Sequence, residues 1–117
     1  MSAVEQYARA HLVTDSSEGH RAVPVVLHYD AEADPHAVRI GLPGSRDRIF
    51  ARQLLEQGMR APVTSGDVHV WPCGRVQTVV EFHDGEGDGV TVVQFDASAL
   101  LRFLRRTYAA AATPVTH

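Results

Sequence analysis

The clearest pattern along the chain is an alternation of apolar and polar side chains between residues 22 and 30. Val25, Leu27 and Tyr29 fall on one face and Val26, His28 and Asp30 on the other, the period of two that marks a half-buried strand. Pro24 has no N–H to give a neighbour, so this strand is expected at an edge, or entering the sheet there. A turn through Ala33, Asp34 and Pro35 leads to a second alternating run, with Val38, Ile40 and Leu42 inward and Arg39 outward, and the pair reads as a hairpin. Residues 3–13 mix apolar and polar positions without a clear period and are read as a further strand, followed by a polar turn at residues 16–20.

The period then changes. Gly41, Pro43 and Gly44 interrupt the strand pattern, and an apolar entry at Ile49 and Phe50 is predicted to start a compact helix with Phe50, Leu54 and Leu55 on one face. Gly58 is expected to stop it in a left-handed conformation, with Pro62 preventing continuation. Three strands are predicted after it: residues 67–71, with Val68 and Val70 opposite His69 and Trp71, then residues 75–82 and 90–95. The glycine-rich polar loop between the last two marks an antiparallel connection.

Asp96 is placed as the N-cap of a C-terminal amphipathic helix. Ala97, Leu100, Leu101, Leu104 and Tyr108 gather on its inner side with Phe103 at the margin, and Arg102, Arg105 and Arg106 occupy the other. Residues 109–117 offer no apolar period and are expected to fray. Strands followed by a helix, then strands followed by a helix, without βαβ alternation, predict an α+β fold with a mainly antiparallel sheet. One domain spans 1–117, its core at about residues 3–108.

Composition narrows the function classes. Hydrophobic residues make up 44% and charged residues 21% of the 117, which suits a folded domain and not a disordered chain. No apolar run approaches the ~20 residues of a membrane span, and no basic-then-apolar leader is visible. Cys73 is the single cysteine, so neither an internal disulfide nor a thiolate-rich zinc site can form, and a cytosolic location is expected. The net charge of −3 gives no general attraction to nucleic-acid backbones.

Candidate chemistry is sparse. The acidic loop Asp84, Glu86, Asp88, Gly89 resembles the start of an EF-hand loop, but Phe95 stands where the closing Glu belongs and strands flank it, so it reads as a solvated hairpin tip. Gly85, Gly87 and Gly89 precede a strand, not a helix N-terminus, which excludes a phosphate loop. His28, His69 and His83 lie on different predicted strands without metal-ligand spacing, and Cys73 lacks a partner signature for nucleophilic catalysis. No catalytic residue, cofactor site or metal site is therefore assigned. The candidate interaction residues are Arg102, Arg105 and Arg106, which either solvate the outer helix face or form a basic docking stripe. Trp71 joins them, as a core or subunit contact or as an exposed binding anchor.

Four segments, in order, resemble the SsgA-like proteins of sporulating actinobacteria. They are Leu27-His28-Tyr29-Asp30 with Asp34-Pro35-His36-Ala37-Val38; Phe50-Ala51-Arg52-Gln53-Leu54-Leu55 with Gly58; Gly66-Asp67-Val68-His69-Val70-Trp71-Pro72; and Phe103-Leu104-Arg105-Arg106-Thr107. The chain departs from the family pattern in a shorter stretch between Ile40 and Ile49, in Gln53 for an acidic residue, and in lacking an acidic C-terminal extension. The resemblance implies a sheet of about seven strands with helices, similar to whirly-type single-strand nucleic-acid binders and assembled as a trimer. It further implies a non-enzymatic role in sporulation-linked septation at the cell division septum, positioning or recruiting the ring protein FtsZ. The alternative is a single-stranded nucleic-acid-binding protein, which the sign of the charge disfavours.

Overall fold

The computed structural model describes residues 3–13, 20–83 and 89–112. Its elements run β1 (Ala3–Val13), β2 (His20–Asp30), β3 (Ala37–Gly41), β4 (Arg48–Ala51), α1 (Arg52–Gly58), β5 (Val63–Ser65), β6 (Val68–Cys73), β7 (Gln77–His83), β8 (Val90–Asp96) and α2 (Ala97–Ala112). The strands form one eight-stranded sheet in the order β4-β3-β2-β1-β8-β7-β6-β5, and every neighbouring pair is antiparallel. Four strands step outward from the centre, α1 crosses over, four strands step back inward, and α2 closes.

Alternation sets which face is buried. Val25, Leu27 and Tyr29 of β2 and Val38 and Ile40 of β3 point inward with Val4, Ala8 and Ala10 of β1, Val70 of β6, Val80 and Phe82 of β7, and Val93 and Phe95 of β8. Leu54 and Leu55 of α1 and Leu100, Phe103 and Leu104 of α2 join the same cluster, so both helices cover one face of the sheet. Each fully buried aliphatic or aromatic side chain there contributes about 1.5–3 kcal/mol.

The described residues form eight strands, not about seven, and the two that the sequence pattern did not reveal are the shortest. Ile49 and Phe50 belong to β4, not to the helix start. The register Val38↔Phe50 turns Phe50 into the core, where its ring lies 5.8 Å from that of Phe82, and α1 begins only at Arg52. Strand β5, of three residues, is too short to show a period.

Gly58 has a different role from the one expected. It is the last helical residue and does not adopt a positive φ, which among the glycines described here is found at Gly44, Gly66 and Gly74. The helix ends through Met59 in a right-handed conformation. Gly58 is needed for close approach instead: a Cβ at this position would lie 2.2 Å from Val70 Cβ and Cγ1.

Helix α2 also turns differently about its axis. Leu100, Phe103, Leu104 and Thr107 are buried, at i, i+3, i+4 and i+7, whereas Leu101 and Tyr108 are about half exposed. Thr107 is accommodated because its hydroxyl donates to Leu104 O at 2.7 Å. The helix runs on to Ala112, past the point at which fraying was expected, and Asp96 stands directly before it as the last residue of β8.

Pro24 lies in an interior strand, since β2 sits between β3 and β1. Yet β3 covers β2 only at Val26, Leu27 and His28. At Pro24 that flank is open, which is why an interior strand tolerates it.

Candidate interaction surface

The face of the sheet turned away from both helices is built from the odd residues of β1 and their counterparts across the sheet. It carries three large apolar side chains in the open: Tyr7, Ile49 and Val90, with Tyr7 71% exposed. Between them lie charged groups. Arg39 donates to His28 Nδ1 at 3.0 Å and pairs with Asp47 at 3.4 Å, beside a shallow groove of about 400 Å³ that includes Glu5, Tyr7, Pro24 and Val26 in its lining. A second groove of about 510 Å³ opens at the end of the β1–β2 hairpin, lined by Leu12, Val23, Leu42, Val90 and Thr91 among others.

Trp71 belongs to this helix-free face, directly opposite Val79 in the β6–β7 ladder. It is half-buried and shields Val79, which is 5% exposed despite having no helix above it. Phe82 and Phe95, by contrast, are buried within the protomer core.

The three arginines of α2 are all exposed but do not form one row. Arg106 turns toward β1, its guanidinium 3.5 Å from Glu5 O and 3.3 Å from Gln6 Oε1. Gln6 in turn donates to Ala99 O at 2.9 Å. Arg102, four residues before Arg106, lies beside it further out on that flank, and Arg105 lies equally far from the buried stripe of Leu100, Phe103, Leu104 and Thr107 on the other side of the outer face. The sequence set Trp71 beside these arginines as candidates, but the structure places it on the opposite side of the sheet from α2.

On the other flank of α2 lies a cluster that sequence reasoning missed. Arg52 sits between the rings of Tyr29 and Tyr108, 5.4 and 3.9 Å from their centroids. It also donates to Thr107 Oγ1 at 3.4 Å and approaches Glu56 at 3.9 Å, and the Tyr108 hydroxyl bonds the Glu56 carboxylate. Cation–π contacts of this kind contribute about 0.5–2 kcal/mol each. No spacing rule announces such a site, because its members come from β2, α1 and α2.

The histidines do not converge. His28 belongs to the Arg39 contact on β2, while His69 and His83 approach each other with ring centroids 5.2 Å apart, and His83 bonds Glu81. Among the described residues no group of three or more His, Cys, Asp or Glu side chains is placed to hold a metal ion. The acidic loop residues Asp84, Glu86 and Asp88, with Gly85 and Gly87, lie outside the described residues. Among those residues, no helix is long and apolar enough to cross a membrane.

The geometry defines a class: an α+β protein with a single curved antiparallel sheet, helices on one face, and exposed aromatic and charged groups on the other face and along one strand. The family model for Streptomyces sporulation and cell division protein SsgA matches residues 23–114. The chain belongs to the SsgA family of sporulation and cell division proteins. It is 38% identical over 107 residues to the sporulation-specific cell division protein SsgB of Streptomyces coelicolor, covering 87% of this chain and 77% of that protein. The SsgB of Frankia casuarinae is 39% identical over 98 residues, 79% of this chain and 68% of that protein. Among solved structures, one from work on SsgB mutations that correlate with longitudinal cell division during sporulation of Streptomyces coelicolor superposes with a TM-score of 0.79 at 34% identity. That match covers 96% of this chain and 90% of the other. An SsgA-like sporulation-specific cell division protein from Thermobifida fusca shares the fold, with a TM-score of 0.79 at 24% identity over 95% of this chain and 84% of that one.

Proposed function

We propose that this chain is a non-enzymatic regulator of sporulation-specific cell division, a cytoplasmic protein–protein adaptor that helps position or recruit FtsZ or related divisome components at the septum. The observation that carries this reading is kinship with proteins named sporulation-specific cell division protein SsgB over 87% of the chain. The site geometry is compatible with it: exposed Tyr7, Ile49 and Val90 lie on a sheet face without helices, the kind of apolar area that self-association or a partner covers. We further propose a whirly-like arrangement, for which the twice-repeated order of four strands and a helix speaks, assembled as a homotrimer. Arg102, Arg105, Arg106 and Trp71 are proposed as interaction residues, with Arg106 foremost because it reaches Glu5 and Gln6 of β1.

The test is capture of purified FtsZ, and of other SsgA-like proteins, on the immobilised chain, with sedimentation of the chain alone at micromolar concentration. Retention that weakens when the three helix arginines are changed to Ser supports the reading. A strict monomer that retains neither FtsZ nor another SsgA-like protein contradicts it.

A further inference from the structure

An unpaired strand edge is a template for another strand, and proteins blunt such edges by shortness, by proline or by covering them. The outer edges here are short, four residues in β4 and three in β5. Two longer open stretches lie inside the sheet, because β1 and β2, at 11 residues each, overrun their neighbours. Strand β3 reaches β2 only from Val26 onward, and β8 reaches β1 only from Ala10 onward.

The ladder determines which backbone groups face these gaps. Ala97 N–H donates to Val76 O across β7 and β8, so the even residues of β8 face β1. Their partners in the pairs His11↔Gln94 and Val13↔Val92 are odd. Alternation then directs the N–H and C=O of Ala3, Glu5 and Tyr7 into the open flank, in agreement with Arg106 reaching Glu5 O from that side. By the same alternation the even residues of β2 face its own gap, and there the sequence places Pro24, which has no N–H to offer. One open stretch is blunted. The other has no proline, and among the described residues the arginine on Glu5 O is the one side-chain bond made to its outward backbone groups.

We infer that the open edge of β1, from Ala3 to Tyr7, is a docking site for an extended protein segment that adds a strand and alternates acidic with apolar side chains. Charge and exposure set that chemistry. Side chains of an incoming strand on the helix side meet Arg106, with Arg102 one turn before it on α2, which favours carboxylates. Those on the other side meet Tyr7, 71% exposed, which favours apolar groups across the strands. A second copy of the same edge fits poorly. One step beyond Ala10↔Phe95 the ladder brings Asp96 opposite Arg9, which ends the free stretch. The antiparallel register that uses all of what remains sets Glu5 against Glu5, and like charges directly opposite are destabilising.

This deepens the adaptor reading, and its test is independent of any division protein. The probe is a blocked nine-residue peptide alternating Glu and Val, titrated into the ¹⁵N-labelled full chain. The amides of Glu5 and Tyr7 are expected to shift and to become protected from exchange. Changing Arg102 and Arg106 to Ser, or replacing Glu by Lys in the peptide, is expected to weaken binding about tenfold or more. Tyr7→Pro is expected to abolish it while leaving the β1–β2 ladder intact, and a peptide N-methylated at alternate residues gives the same loss with the natural chain. Unmoved Glu5 and Tyr7 amides overturn the inference, as does equal binding of the Glu and Lys peptides. So does self-association of the chain that Tyr7→Pro disperses, which would assign the edge to another copy. Failure of the peptide leaves the FtsZ capture result standing, and failure of capture leaves the peptide result standing.

Discussion

The two four-strand halves of the sheet use backbone hydrogen bonds in unequal ways. In the second half every residue of β7 from Gln77 to His83 is matched in β8, and every residue of β6 from Val68 to Cys73 in β7. In the first half the long β1 and β2 match each other along their full length, from Ala3↔Asp30 to Val13↔His20, but their outer neighbours cover only parts of them. The inner strands of the second half are thus matched along their length, and its shortfall lies at the margin, where β5 covers only Val68–Val70 of β6; the first half carries its spare bonding capacity on its two longest strands. Stability and availability for partners are assigned to different parts of one continuous sheet.

Four experiments break or sharpen this contrast. Phe103→Ala empties a fully buried site in the helix that bridges the halves and should cost about 3–5 kcal/mol in denaturant unfolding. One cooperative transition is expected, because the same cluster contains Val25 and Val80; separate transitions for the halves would refute their joint folding. In native-state hydrogen exchange, the amides of Glu5 and Tyr7 should exchange at least about a hundredfold faster than that of Val80. Gly58→Ala drives a methyl into Val70 and should cost about 1–3 kcal/mol by overpacking, read as a lower thermal midpoint with α1 displaced from β6. Pro24→Val should change stability by no more than about 0.5 kcal/mol. Its readout is sedimentation, where self-association at high concentration is expected once the blunting residue is gone.

Much of this was legible in the residues. The inward sets Val25, Leu27, Tyr29 and Val38, Ile40, Leu42 stand where alternation put them, buried to within 8% exposure, because a strand with one wet face has only one workable register. The period of β1 was obscured by two exchanges: Gln6 is buried, with its amide on Ala99 O, and Tyr7 is exposed. A polar residue inside and an aromatic one outside cancel the signal. In α2 the stripe was centred too far round, taking in Leu101 and Tyr108, leaving Phe103 at its margin and omitting Thr107. Tyr108 escapes the core because Arg52 and Glu56 hold it on the flank, a tertiary fact that no helical wheel contains. The Arg102, Arg105, Arg106 group was visible as charge. That Arg106 reaches Glu5 and Gln6, 101 and 100 residues away in sequence, was not, because the pairing depends on how α2 leaves β8.

The last turns of α2 are gripped from both flanks, by Glu5 and Gln6 through Arg106 and by Arg52 and Glu56 through Tyr108. Rolling the helix about its axis in either direction would pull one of these fastenings apart, so the rod is braced against torque. A ligand that draws Arg106 off the strand would release one of these two fastenings and leave the Tyr108 side, with Gln6 on Ala99 O, as the remaining hold on the helix.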